Sequence, residues 1–309
     1  MPNKNKPNRL PRRTASQKRS ERWGWLFILP WVIGTIFFFV IPMINAGRFA
    51  FSHLDLKSDP GNIIYEPVGF KNFIGLFTED GNFIPALFES LGKMLYEVPV
   101  IVVFSVLIAM VLRGSFKGHT FFRAVFFFPV IIASGVCITI LRTQVMMTGS
   151  ATSTEQQAYM FNLPDFKVLT DLFGLPQAIV DFATSVVNGF FDITWKSGVQ
   201  IILLLVAVNH ISPSYYEVAD MEGATAWEKL WKVTIPMIAP TILVVIIYTI
   251  IDSFTDYGNA IMRLIDTYRR QDTNYSYATA IGLVYFLIVG LLIGIVTLCM
   301  RKVTKNAEY

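Results

Sequence analysis

Six stretches of the chain run free of Asp, Glu, Lys and Arg: 23–47, 98–112, 124–141, 197–216, 233–251 and 273–300. The hydrocarbon core of a bilayer is about 30 Å thick and takes roughly 20 helical residues, with about 17 to 25 tolerated. Five of the stretches meet that length unaided. The second is shorter, and becomes a full span once Lys93 and Glu97 lie near one interface and Arg113 marks the other. The pattern predicts an all-α integral membrane protein with six transmembrane helices, at 23–47, 93–113, 121–142, 196–213, 236–257 and 275–300. Between them fall a basic tail at 1–22, loops with short helices at 48–92 and 143–195, a loop at 214–235, another at 258–274, and a tail at 301–309. Six buried helices of a large soluble core are the competing reading, but such cores rarely hold so many long charge-free segments.

Composition agrees. Of 309 residues 53% are apolar and 16% charged, and the mean hydropathy is +0.51. These values exclude a disordered chain, a disulfide scaffold and an ordinary cytosolic enzyme. Charge sets the orientation, because Lys and Arg accumulate on the cytoplasmic side. Lys4, Lys6, Arg9, Arg12, Arg13, Lys18, Arg19 and Arg22 precede the first span. Placing them inside also places Arg113, Lys117, Arg123, Lys229, Lys232, Arg301, Lys302 and Lys305 inside. Both termini are therefore expected in the cytoplasm, with 48–92, 143–195 and 258–274 outside. Arg263, Arg269 and Arg270 are the dissenting external cations.

The basic amino terminus has neither a signal-peptide cleavage pattern nor the aromatic interleaving of a nucleic-acid arm, and reads as a topogenic tail without a nucleic-acid partner. Cys137 and Cys299 fall inside the third and sixth spans and read as packing residues. His53, His119 and His210 stand one to a segment, so no metal site is expected. No phosphate loop, GxSxG elbow or HExxH is present, so no catalytic residue is assigned and any ATP must be bound by another polypeptide.

The loops differ in content. The first external loop carries Phe70, Phe73, Leu76 and Phe77, the second Leu169, Leu172, Phe173 and Phe182, spaced for amphipathic helices. These suit a cap that meets a soluble partner or a face lying in the membrane interface. The internal loop reads SYYEVADMEGATAWEKLWKVTIP from Ser214 to Pro236, a charged helix, then Gly223, then a second helix entering the membrane at Pro236. Ser212 or Ser214 with Glu217 is expected to cap the first helix. Gly223 permits the positive φ of a helix stop, and Ala224 permits close packing. Glu217, Asp220 and Glu222 gather on this short helix, which suits a docking element better than a plain connector.

At this loop the sequence resembles a known family. Glu217, Ala219, Glu222, Gly223, Ala224, Leu230, Val233, Ile235 and Pro236 follow the EAA loop of binding-protein-dependent ABC import permeases. Val218, Glu222 and Leu230 depart from its usual second Ala, Asp and Phe. VGFKNFIGLF before the second span and GSFKGHTFFRAVFFFPVIIASGV through the third are similar to the maltose and glycerol-phosphate type of sugar permease. The resemblance implies the type I, MetI-like permease fold over about 85–300, in a multi-pass protein of the bacterial cytoplasmic membrane. It implies a second permease, two copies of a cytoplasmic ATPase that hold ATP and Mg, and an external binding protein that delivers a carbohydrate. It assigns ATPase coupling to Glu217, Ala219, Asp220, Glu222, Gly223, Ala224, Ile235 and Pro236.

Polar residues within spans usually face a cavity or another helix. That nominates Asn209, Tyr248, Asp252, Ser253, Asp256 and Asn259 for the substrate path, with Glu97 and the rings of Phe254, Tyr257 and Tyr285 beside them. Hydrogen bonding between helices is the plainer alternative for each. Where relatives often carry a TxGGP segment after the fifth span, this chain has MRLIDTYRRQ. A secondary transporter, the second functional reading, calls for inverted repeats and broken spans, and no repeat is evident.

Overall fold

The structure is a computed structural model describing residues 15–55, 64–114, 118, 121, 123–126, 176–256, 258–270 and 274–305. Helix dominates because most apolar stretches are hydrophobic on every face, and a helix satisfies its own backbone polar groups. The first run is one continuous rod: α1 (Ala15–Thr35), a π turn (Ile36–Val40) and α2 (Ile41–Ala50). A second π turn (Leu230–Thr234) joins α8 (Ala226–Lys229) to α9 (Ile235–Thr255). Each π turn ends just before a proline at the start of the next helix, Pro42 or Pro236. A proline ring collides with the carbonyl four residues back and donates no hydrogen bond, and a widened turn makes room for it.

After α2 the chain forms an antiparallel pair, β1 (Ser52–Asp55) and β2 (Ile64–Pro67), in register Ser52↔Pro67. Only short helices were expected there. Asn72 on α3 (Lys71–Thr78) holds the pair by donating from Nδ2 to Ala50 O at 2.8 Å and Ser52 O at 3.2 Å. Phe51, Phe70 and Phe73 pack ring against ring beside it.

The expected second span begins ten residues early, since α4 runs Phe83–Arg113. Charge marks Lys93 as its start, but Phe83, Leu87 and Leu91 extend the core-packed face of the helix, and α4 contacts α10 (Ala260–Arg270). The segment 258–274, expected as a loop, contains that helix. In the segment 143–195, expected as an external loop with short helices, the described part is one 20-residue helix, α5 (Gln177–Lys196). α5 meets the 12-residue α6 (Gly198–Asn209) at 56°. At 1.5 Å per residue α6 spans about 18 Å, too little to cross a bilayer alone. α7 (Pro213–Met221) and α11 (Tyr275–Lys305) complete the described elements.

Among the described residues four helical runs are long and apolar enough to cross a membrane, or five if the bent pair α5–α6 is one span. Residues 127–142 of the expected third span, and Cys137, lie outside the described residues. α4, α6, α9 and α11 form the core, where Met94, Ile101, Leu204, Ile238, Ile250, Ile281 and Tyr285 are buried. α1 and the first π turn stand outside it, with Phe27 80% and Phe38 86% exposed, whereas α2 packs against α11 and buries Ala50. Cys299 is exposed too, which corrects its expected role in packing.

Candidate functional site

The loop between α6 and α9 folds as a helical hairpin with a defined stop and restart. Pro213 stands at the first position of α7, where its fixed φ fits and its missing N–H is no loss. The expected serine cap is absent, because Ser212 and Ser214 hydrogen-bond each other, Oγ to Oγ, at 2.9 Å. At the other end Ala224 N donates to Ala219 O at 2.9 Å and Gly223 N to Asp220 O at 3.0 Å. This pair of bonds is a Schellman stop, which needs a left-handed residue at Gly223, and its φ is +74°.

The restart is a capping box one helix later than expected. Glu228 N donates to Thr225 Oγ1 at 3.3 Å, and Thr225 N donates to Glu228 Oε2 at 3.0 Å. The Thr225 backbone bond and Lys232 pull the Glu228 carboxyl down to about 2. Asp220 pairs with Lys229, pinning α7 to α8. All three acids assigned to docking are exposed, and Asp220 alone among them is paired within the hairpin, to Lys229. Ala219 is buried, Ala224 and Ile235 are half-buried, and Pro236 is exposed. The free face of α7 is largely apolar: Tyr215, Val218 and Met221, three residues apart, are 53%, 59% and 90% exposed. Their spacing was readable in the sequence, but the neighbouring charges drew attention from it.

A second polar centre lies at the α5–α6 bend. Lys196 Nζ lies 2.6 Å from Glu97 Oε1, 3.0 Å from Asp256 Oδ2 and 3.3 Å from Asp192 Oδ2. One ammonium thereby ties α4, α5 and the end of α9 together. Glu97 is buried, and its Oε2 has no hydrogen-bond partner among the described residues. Asp256 Oδ1 also accepts from Gly258 N at 2.9 Å. Tyr248 and Asp252 share one stripe of α9 at four-residue spacing, and Asp256 follows just past the helix end; each is half-buried. Lys196 was not singled out in the sequence, although a cation bordering an apolar run is a usable signal.

The remaining nominated residues do not join this centre. Asn259 Nδ2 donates to Ser253 O at 3.1 Å and Tyr285 Oη at 2.7 Å. Its Oδ1 accepts from Ile261 N at 3.1 Å and from Ser90 Oγ. Its amide is thus committed on both sides, the donors joining α9 and α11 and the acceptor joining α4 and α10. Asn209 lies at the other end of α6 from Lys196, exposed. Tyr257 lies outside the described residues. On a further face, Asp80 Oδ2 accepts from Tyr268 Oη at 3.0 Å and Tyr277 Oη at 3.4 Å beside a cavity of about 320 Å³.

No family model matches the chain. It is 27% identical over 310 residues to the multiple sugar-binding transport system permease protein MsmF of Streptococcus mutans, covering 96% of this chain and 99% of that one. It is 26% identical over 300 residues to the probable ABC transporter permease protein YesP of Bacillus subtilis, covering 91% of each. The arabinooligosaccharides transport system permease protein AraP of Bacillus subtilis is 24% identical over 295 residues, with 89% of this chain and 87% of that one covered. The fold matches a chain in the crystal structure of a bacterial ABC transporter involved in the import of the acidic polysaccharide alginate. That match has a TM-score of 0.59 at 21% identity and covers 94% of this chain and 98% of that one. The same values, at 20% identity, hold for that transporter in complex with its alginate pentasaccharide-bound periplasmic protein.

Proposed function

We propose that the chain is a membrane-spanning permease subunit of an ATP-driven ABC importer, forming half of the path for a carbohydrate handed over by an external solute-binding protein. The similarity to sugar ABC permeases along nearly the whole length carries this reading. The type I, MetI-like fold with six spans and both termini cytoplasmic goes with it. The protein then resides in the bacterial cytoplasmic membrane beside a second permease. ATP and Mg belong to a separate ATPase dimer, and this chain supplies no catalytic group.

The hairpin is the proposed coupling element. A force from a partner passes through it only if the docking helix is rigid, its turn is fixed and its exit into a span is stiff. The Schellman stop at Gly223, the Asp220–Lys229 pair and the Thr225–Glu228 box supply those properties and support the assignment of Glu217, Ala219, Asp220, Glu222, Gly223, Ala224, Ile235 and Pro236. On the outer side Tyr248, Asp252 and Asp256 are the proposed path residues. Lys196 and Glu97 hold that stripe in place.

The bend at α5–α6 also suits a secondary transporter, whose sites are often built at broken helices. Purification of the protein from its native membrane through an affinity tag separates the two readings. The proposal expects an ATPase and a second permease in stoichiometric amounts. A tagged chain that arrives alone and drives solute uptake without ATP overturns it.

A further inference from the structure

Tyr216 touches two membrane helices from its place on α7. The Arg113 guanidinium, in the last turn of α4, lies 4.1 Å from the centre of its ring. Its hydroxyl lies 2.8 Å from Thr234 Oγ1. Thr234 is fully buried in the π turn that opens α9, and donates in turn to Lys229 O at 3.2 Å. With the one threonine proton committed to that carbonyl, Tyr216 is the donor to Thr234. The carboxyl end of α4 is further fixed by Arg123 Nη2, which donates to Leu112 O at 2.9 Å.

α7 is joined by the chain itself to α6 and α8, and not to α4. A rocking of α7 reaches α4 only across space, and the Arg113 contact offers that route. The link to α9 enters at the π turn, where the helical ladder is interrupted and the entry angle of the span is easiest to change. Cation–π contact and a half-buried hydroxyl pair are both short-range and directional, so they resist separation of the elements they join.

We infer that Tyr216 is a positioning residue that carries the displacement of α7 to α4 and α9 together, through Arg113 and Thr234 respectively. This rests on the permease reading above. It adds a transmission point outside the motif residues and divides it into two separable contacts, ring and hydroxyl.

The two contacts give a crossed test. The complex is purified with its ATPase into nanodiscs, in a background of Cys137→Ser and Cys299→Ser. Spin labels are placed at Ser214→Cys on α7 and either Leu95→Cys on α4 or Ile251→Cys on α9, all exposed positions. Distances are read without nucleotide and after trapping with ATP and vanadate. Wild-type Tyr216 should keep both distances single and independent of nucleotide. Tyr216→Phe, which retains the ring and loses the hydroxyl, should leave α7–α4 fixed and make α7–α9 nucleotide-dependent. Arg113→Gln should do the reverse, and Tyr216→Ala should release both. A general loss of packing would not give this crossed pattern. Should Tyr216→Ala fail to fold, the other two variants still decide. Both distances staying fixed in Tyr216→Phe and Arg113→Gln, with the ATPase bound, overturns the inference and leaves the permease reading standing. Absence of any ATPase from the wild-type preparation overturns the permease reading, and the inference with it.

Discussion

Lys196 and Glu97 meet at 2.6 Å across the bend between α5 and α6, and Lys196 also holds Asp192 and Asp256. Both members are largely withdrawn from solvent, with side chains 14% and 6% exposed. Removing one partner of a buried pair strands the other, at about 3–5 kcal/mol. Here Lys196→Met leaves three carboxylates facing one another, so the variant should lose roughly 3 kcal/mol or more. Thermal unfolding in detergent reads this as a clear fall in midpoint. Adding Glu97→Gln should recover part of it, because one stranded charge is gone. A Lys196→Met protein as stable as wild type would remove the pin assigned to this residue.

Asn259 makes a contrasting prediction. Its amide satisfies Ser253 O, Tyr285 Oη and Ile261 N, all within the fold. Asn259→Leu should therefore cost about 2–3 kcal/mol through unpaired buried groups, and lower uptake only in proportion to the folded protein. A change of solute preference at unchanged stability would return Asn259 to the substrate path.

The capping box is testable by pH as well as by substitution. Glu228 has its carboxyl lowered from 4.5 to about 2 by Thr225 and Lys232, so its contribution is complete above the unfolded value and lost as pH falls through the folded one. Hairpin order, read by spin-label mobility on α8, should be the same at pH 7 and pH 5. Thr225→Ala should loosen it by about 1 kcal/mol at both, while Thr225→Ser restores it. Loosening between pH 7 and pH 5 in the wild type would assign the restart to some other contact.

Much of this architecture was legible in the chain, for reasons that residues make plain. Among the described residues the charge-free runs at 23–47, 98–112, 233–251 and 273–300 fall on long helical stretches, and Gly223 marked its turn, because bilayer thickness and positive φ are constraints a sequence displays locally. The starts of helices were less legible. α4 extends back to Phe83 because Phe83, Leu87 and Leu91 join the hydrophobic core and this helix packs on α10, a contact between elements far apart in the chain. The side-chain cap stands at Thr225 of α8 and not at Ser212 of α7 for a related reason: both residue types fit the local rule, and geometry alone decides whether the oxygen reaches the helix. Asn259 and Asp256 look alike in sequence as polar residues near a span's end. Only their partners separate a structural joint from a half-buried acid beside Lys196.

Gly223 carries a sharper prediction about coupling. Its φ of +74° lies where L side chains are strained, and proline, fixed near −65°, cannot adopt it. Gly223→Pro removes the N–H that closes on Asp220 O and reorients α8 relative to α7. Membrane insertion is set by the apolar spans and should survive. Uptake should be lost while protein level is normal, and normal uptake at normal level would sink the coupling assignment.

On the proposed coupling role, the exposed face of α7 decides which groups dock. The sequence points to the acids, but Asp220 is spent on Lys229, and Glu217 and Glu222 are exposed charges whose pairing with a partner is worth under about 1 kcal/mol each. Met221, 90% exposed, offers more. Burying such a side chain against a partner is worth about 1.5–3 kcal/mol, or roughly ten- to a hundredfold in affinity. Placing a charge there both forfeits that gain and adds a desolvation cost. Met221→Glu should therefore strip the ATPase from the purified complex, and Val218→Glu should act in the same direction. Glu222→Gln should change ATPase retention by less than about fivefold, with a salt dependence weaker than wild type. Quantifying co-purified ATPase across the three variants at two ionic strengths separates the readings. If Glu222→Gln strips the ATPase and Met221→Glu does not, docking is electrostatic and the apolar face serves something else.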